Sequence, residues 1–187
     1  HREIARLEEN RIDLQARLNA LVMLEIPAGK FRIGTNTPGR EEENPEHKVK
    51  ISSFFIDKYE ITNLQYKEFI EATGHRAPTR WRIRTFPDAR KANHPVVNVS
   101  WEDANAYVEL VGKRLPTEAE WERAALVDGR DEYSWGKSAN VECANYDNPD
   151  SKTTEVTRYD RGKSPHSARP QASNDYIGFR CAMTPED

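Results

Sequence analysis

Cysteine is scarce in this chain: Cys143 and Cys181 are the two among 187 residues. Two cysteines allow at most one internal disulfide, and they match no zinc-ligand spacing. One such pair does not fix the redox compartment. No apolar run approaches the length of a membrane span. An excess of basic charge is also lacking, since the net charge is −3 and the pI about 6.0. That argues against a nucleic-acid partner bound by phosphate neutralisation. No glycine-rich loop cradles a phosphate, and no Ser-His-Asp arrangement is visible. Histidines 47, 75, 94 and 166 are scattered, without the paired spacing of a metal site. No internal repeat is evident. The chain begins at His1 with neither Met nor a signal peptide, so a processed or trimmed chain that has lost its address is expected.

What is present suffices for one domain with an extension. Hydrophobic residues make up 36% and charged residues 32%, a polar chain that still builds a core. Residues 1–22 stand apart. Ile4, Leu7, Leu14, Leu18 and Leu21 recur at alternating three- and four-residue spacing, with Arg11 in the missing slot. This predicts an amphipathic or coiled-coil helix about 30 Å long. Two readings stay open: a helix lying on its own domain, or a helix that binds partner subunits.

Residues 23–187 read as the domain. "MLEIPAGKFRIGT" alternates around Pro-Ala-Gly and predicts a β-hairpin. "VKISSFFIDKYEIT" predicts a strand. Thr62 with Gln65 forms a capping-box pattern, opening a helix that carries Tyr66, Phe69 and Ile70 and stops at Gly74. His75 follows as a helix-end residue. "RAPTRWRIR" interleaves Arg76, Arg80, Arg82 and Arg84 with Trp81, either an anion or partner patch or a solvated basic loop. "HPVVNVS" predicts a short strand. Ser100 caps a helix with Trp101, Ala104, Val108 and Val111 on one face and Gly112 as its stop. In "RLPTEAEWERAA", Thr117 and Glu120 form a further capping-box pattern, and Trp121, Ala124 and Ala125 share a buried face. "YIGFRCAM" predicts a closing strand, and the two end strands are expected to pair. The pattern is α+β with much irregular structure.

Taken together, "IPAGKFRIGT", "IDKYEITNLQYKEFIEATGH", "HPVVNVSWEDANAYVELVGKRLPTEAEWERAA", "YSWG" and "IGFRCA" resemble the formylglycine-generating enzyme (sulfatase-modifying factor) family over about residues 22–183. The resemblance implies a variant of the C-type-lectin fold, here preceded by the N-terminal helix. It implies calcium in many members. By resemblance "CANYDNPD" matches a calcium segment, with Asn145 and the Tyr146 carbonyl as donors and Asp147 and Asp150 as further oxygens of the type calcium takes. A solvated Asx-rich turn is the other reading of the same stretch.

Two departures bear on activity. The family carries Gly-Asn-x-Trp-Glu-Trp and Arg-Gly-Gly-Ser-Trp motifs before its closing strand. Here "DRGKSPHSARPQASNDYIGFR" passes straight across: either the protein has lost the segment, or residues between 166 and 167 are absent from this sequence, and the second is expected because a deletion would strip core Trp residues. The family's oxidases also hold copper between two cysteines just ahead of that strand, and copper(I) suits soft thiolates. Residues 167–177 contain no cysteine. Cys181 matches a position that pairs in a structural disulfide in some members, but its usual partner position is Ala here, so a buried free thiol is expected. Copper is not expected unless a missing segment supplies cysteines. The reading that follows is a non-catalytic accessory or binding subunit, docking other protein subunits through residues 1–22 in an extracytoplasmic (periplasmic or membrane-associated) setting. The alternatives are a copper-dependent oxidase that converts a peptide Cys to formylglycine, and a lectin-like receptor. Arg80, Trp81 and Arg82 are the second candidate partner patch.

Overall fold

The stretch "MLEIPAGKFRI" forms two strands, yet they do not form the expected hairpin. A computed structural model describes residues 22–36, 38, 45–79, 81, 89–125, 143, 145, 153–159 and 178–185. The helix expected over 1–22, with Ile4, Leu7, Leu14, Leu18 and Leu21, lies outside these residues, as do Arg80, Arg82 and the junction between 166 and 167. Strand β1 (Met23–Ile26) runs antiparallel to β4 (Phe54–Asp57), from Met23 opposite Asp57 to Ile26 opposite Phe54. Strand β2 (Gly29–Ile33) pairs instead with β3 (His47–Ile51). The closing strand β5 is short, Ala182–Met183, and pairs with β4. The two sheets are thus β1-β4-β5 and β2-β3.

The predicted strand "VKISSFFIDKYEIT" is divided for a reason of phase. In β3 the inward residues Val49 and Ile51 are odd-numbered, whereas in β4 the buried Phe54 and Ile56 are even-numbered. One continuous strand would turn one set to solvent. Ser52 and Ser53 absorb the change of phase, and the halves enter different sheets. The end strands share a sheet as expected, but β4 lies between them.

The helices follow their caps. In α1 (Asn63–Thr73) the Gln65 amide donates to Thr62 Oγ1 at 3.3 Å and the Thr62 amide donates to Gln65 Oε1 at 2.8 Å. Gly74, at φ 70°, ends the helix in the left-handed region where a side chain is strained. In α2 (Trp101–Leu110) Ser100 and Asp103 cap reciprocally. The buried face of α2 differs from the expected one. Trp101 and Val111 are exposed, while Tyr107 joins Ala104 and Val108 inside. Tyr107 takes that place because it stacks on Tyr66 and meets Phe69 and Phe179 edge-on. The third helix, α3 (Glu118–Ala125), starts at the Thr117–Glu120 box and lays Trp121 and Ala124 on Phe54, Ile56 and Ala182.

"HPVVNVS" makes one bridge, Pro95 to Thr62, rather than a strand. Asn98 sits at φ 61°, which breaks the extended run, although Val96 and Val99 are buried on either side. The main core gathers around Tyr66, between α1, α2 and the approach to β5. The α+β class with short elements is as expected.

Candidate functional site

Besides Glu120 of the third capping box, which Arg114 holds at 2.6 and 2.7 Å, the described residues bring buried charge together at two places not read from the sequence. The first lies where β4 meets the closing segment. Asp57, at the end of β4, is 2% exposed. Its amide donates to the Cys181 carbonyl at 2.9 Å, and the Cys181 amide donates to Asp57 Oδ2 at 3.1 Å. Lys113 Nζ donates to Asp57 Oδ1 at 2.6 Å. Lys113 is placed by the end of α2, where Gly112 turns at φ 67° and the Lys113 amide returns to the Val108 carbonyl at 2.8 Å. A carboxylate with so little water around it needs this partner. The sequence held no clear signal for this burial: Asp57 ends the apolar run "FFID", and period two puts it in phase with Phe55, opposite Phe54 and Ile56.

Arg180 and Glu60 extend this cluster. Burial pushes the Glu60 carboxyl up, and the charge of Arg180 works against that. Burial likewise pulls Arg180 down, opposed by Glu60 and Asp57. Gly178 lets the chain pass close: a Cβ there would lie 2.5 Å from Glu60 Oε1 and 3.2 Å from Pro95 Cβ. Cys181 is fully buried and free, as expected. Burial, followed by the Asp57 charge and hydrogen bond, pushes its thiol far above the usual range. The thiolate is the species that attacks electrophiles and binds metal. Burial and the Asp57 charge therefore disfavour the thiolate at Cys181.

The second cluster joins α1 to α2. His75 Nε2 lies 2.8 Å from Asp103 Oδ1, the Ser100 amide donates to Oδ2 at 3.0 Å, and Arg76 is 3.6 Å away. His75 also packs on Phe69, at 5.0 Å between ring centroids. Burial raises the Asp103 pKa, but hydrogen bonds from Ser100 and His75, with the Arg76 charge, outweigh it and leave the carboxyl below its usual value. A group depressed on folding stabilises above its unfolded pKa, and that contribution is lost as pH falls. Asp103→Asn is thus expected to melt below the parent at neutral pH. The gap should close as pH drops through and below about 4, the ordinary carboxylate value. Thermal melts across pH check this, and a gap constant with pH would show that the Asp103 charge contributes nothing.

The residues singled out from the sequence fare differently. Trp81 is half-buried, its ring 6.1 Å from Tyr66 in an edge-on contact. Asn145 is exposed, while Tyr146, Asp147 and Asp150 lie outside the described residues. Cys143 is buried and free. Among the described residues no group of three or more His, Cys, Asp or Glu is placed to hold a metal, and no helix is long and apolar enough to cross a membrane.

Comparison with known proteins agrees with this architecture. The family model described as "Sulfatase-modifying factor enzyme 1-like domain" matches residues 9–161. A formylglycine-generating enzyme of Thermomonospora curvata is 36% identical, over 61% of this chain and 52% of its own length. An inactive C-alpha-formylglycine-generating enzyme 2 of Bos taurus is 31% identical, with the same coverage of 61% and 52%. The chain thus spans about half the length of these relatives. The crystal structure of CarF aligns with a TM-score of 0.55 at 18% identity, covering 88% of this chain and 98% of that one. That likeness concerns the fold, the C-type-lectin-like variant expected from the sequence.

Proposed function

The chain belongs to the sulfatase-modifying factor, or formylglycine-generating-enzyme-like, family, and from that premise we propose that it is a non-catalytic member serving as a binding or accessory subunit. One observation carries the reading. The cysteine of the closing strand, Cys181, is a buried free thiol without a second cysteine beside it among the described residues. Residues 167–177, where the oxidases that this chain resembles keep their copper cysteines, offer no sulfur. The family has room for such a member, since one relative is itself named inactive. The charged clusters around Asp57 and Asp103 tie sheet to helix and helix to helix, a structural use of buried charge. Residues 1–22 supply a binding surface through the Leu7, Leu14, Leu18 and Leu21 seam.

The test is direct. The purified chain is loaded with copper(I), given oxygen and a cysteine-containing peptide, and the peptide is followed by mass spectrometry. The intact mass and a peptide map across His166–Ser167 are taken on the same preparation. An unchanged peptide is expected, and the mass and map read whether a segment with further cysteines lies between His166 and Ser167. An aldehyde product overturns the reading in favour of the oxidase.

A further inference from the structure

The β2-β3 ribbon pairs like with like. Its register sets Lys30 opposite Lys50 and Arg32 opposite Lys48. Directly opposed residues of an antiparallel pair point to the same face, so four cations share one face of two short strands. All four are exposed. Their alternates Phe31, Ile33, Val49 and Ile51 turn the other way, at least half-buried, toward α3. The Gly34 amide donates to Glu122 Oε1 of α3 at 3.1 Å and holds the ribbon to that helix. The basic face is therefore fixed outward.

Little offsets this charge. Glu46 bonds Arg32 at 2.7 Å, and no described carboxylate pairs with Lys30, Lys48 or Lys50. Like charges directly opposed destabilise a ribbon. The chain as a whole is acidic, so the stripe is not a by-product of composition. Both outer edges of the two-stranded ribbon are also free of further strands among the described residues.

We propose that the outward face of the β2-β3 ribbon docks an extended acidic peptide segment of a partner protein. Side chains along a strand repeat on one face every ~6.8 Å, so acidic residues at every second position of an extended peptide match both rows of cations. A long polyanion fits less well. Beyond roughly 10 Å it leaves the screened field of the ribbon and meets an acidic protein. The outward face also carries no aromatic ring for base stacking. The surface adds to the binding role above without depending on it, because docking is read without copper or oxygen.

A fluorescein-labelled peptide of alternating Glu and Thr is titrated with the full chain and followed by anisotropy at low and at physiological salt. Binding is expected at low salt, weakening about tenfold as salt rises. Lys30→Glu and, separately, Lys50→Gln should weaken it about tenfold or more, with melting curves confirming that each variant is folded. Lys48→Glu, which faces Arg32 with an opposite charge, should weaken binding while raising the melting temperature. Equal binding by the charge variants overturns the proposal, as does tighter binding of single-stranded oligothymidine or phosphatidylserine vesicles. So does a parent chain that takes up the peptide only after Glu41, Glu42 and Glu43 of the β2-β3 connection are changed to Gln, since the chain's own loop would then be the occupant.

Discussion

Lys113→Met is expected to lower stability by about 3–5 kcal/mol, the cost of leaving a buried carboxylate without its partner. The Asp57 side chain is 3% exposed and that of Lys113 16%, so solvent screening is weak at the pair. Met preserves much of the Lys stem, so the lost packing is small and the loss isolates the charge. The double variant Asp57→Asn, Lys113→Met should cost less than Lys113→Met alone. The neutral amide needs no counter-charge, and its oxygen can still accept from the Cys181 amide, as Asp57 Oδ2 does at 3.1 Å. Denaturant melts of the two singles and the double give the coupling directly. A Lys113→Met protein within about 1 kcal/mol of the parent would show that Asp57 does not depend on this ion pair.

Tyr66→Ala should cost as much or more, about 3–5 kcal/mol from the cavity left in the core. For a chain of this size that is a fall in melting temperature on the order of 10 °C. Tyr66 has no exposed surface. Its ring lies 5.1 Å from Phe69, 5.8 Å from Tyr107, 6.1 Å from Trp81 and 6.3 Å from Phe179, centroid to centroid. Those partners come from α1, α2, the segment after α1 and the approach to β5, so no single element can collapse to fill the space. Tyr66→Phe separates the ring from the hydroxyl. The hydroxyl donates to the Asp103 carbonyl at 3.4 Å, a long bond, and its loss should cost no more than about 1 kcal/mol. Similar losses for the two variants would place the contribution of Tyr66 in its hydroxyl and contradict the packing argument.

Both predictions concern the frame rather than a reaction. The buried charges found here hold the frame, and the basic ribbon proposed for binding lies on its surface. Asp57 and Lys113 fasten β4 to the end of α2, and α3 fastens the ribbon through Glu122. A partner docked on the ribbon would therefore meet a surface anchored to α3.

Part of this was legible in the residues alone. The three helix starts at Thr62, Ser100 and Thr117, and the glycine stop at Gly74, are confirmed atom by atom. Each depends on side chains within four positions of the backbone groups they satisfy, so the local chain decides them. The family, too, was carried by motifs in order along the chain. Other features were settled by the tertiary structure. Pro27 and Ala28 suggested a hairpin, but burial of Phe54 and Ile56 drew β1 to β4 and left β2 to β3. Trp101 was placed inside by periodicity, and Tyr107 displaced it because the aromatic cluster lies on the other side of α2. Asp57 meets Lys113 across 56 positions and Cys181 across 124. The like-charged pairs of the ribbon exist only in the register that β2 and β3 adopt. Such contacts depend on which apolar faces find each other, and no local pattern encodes that choice.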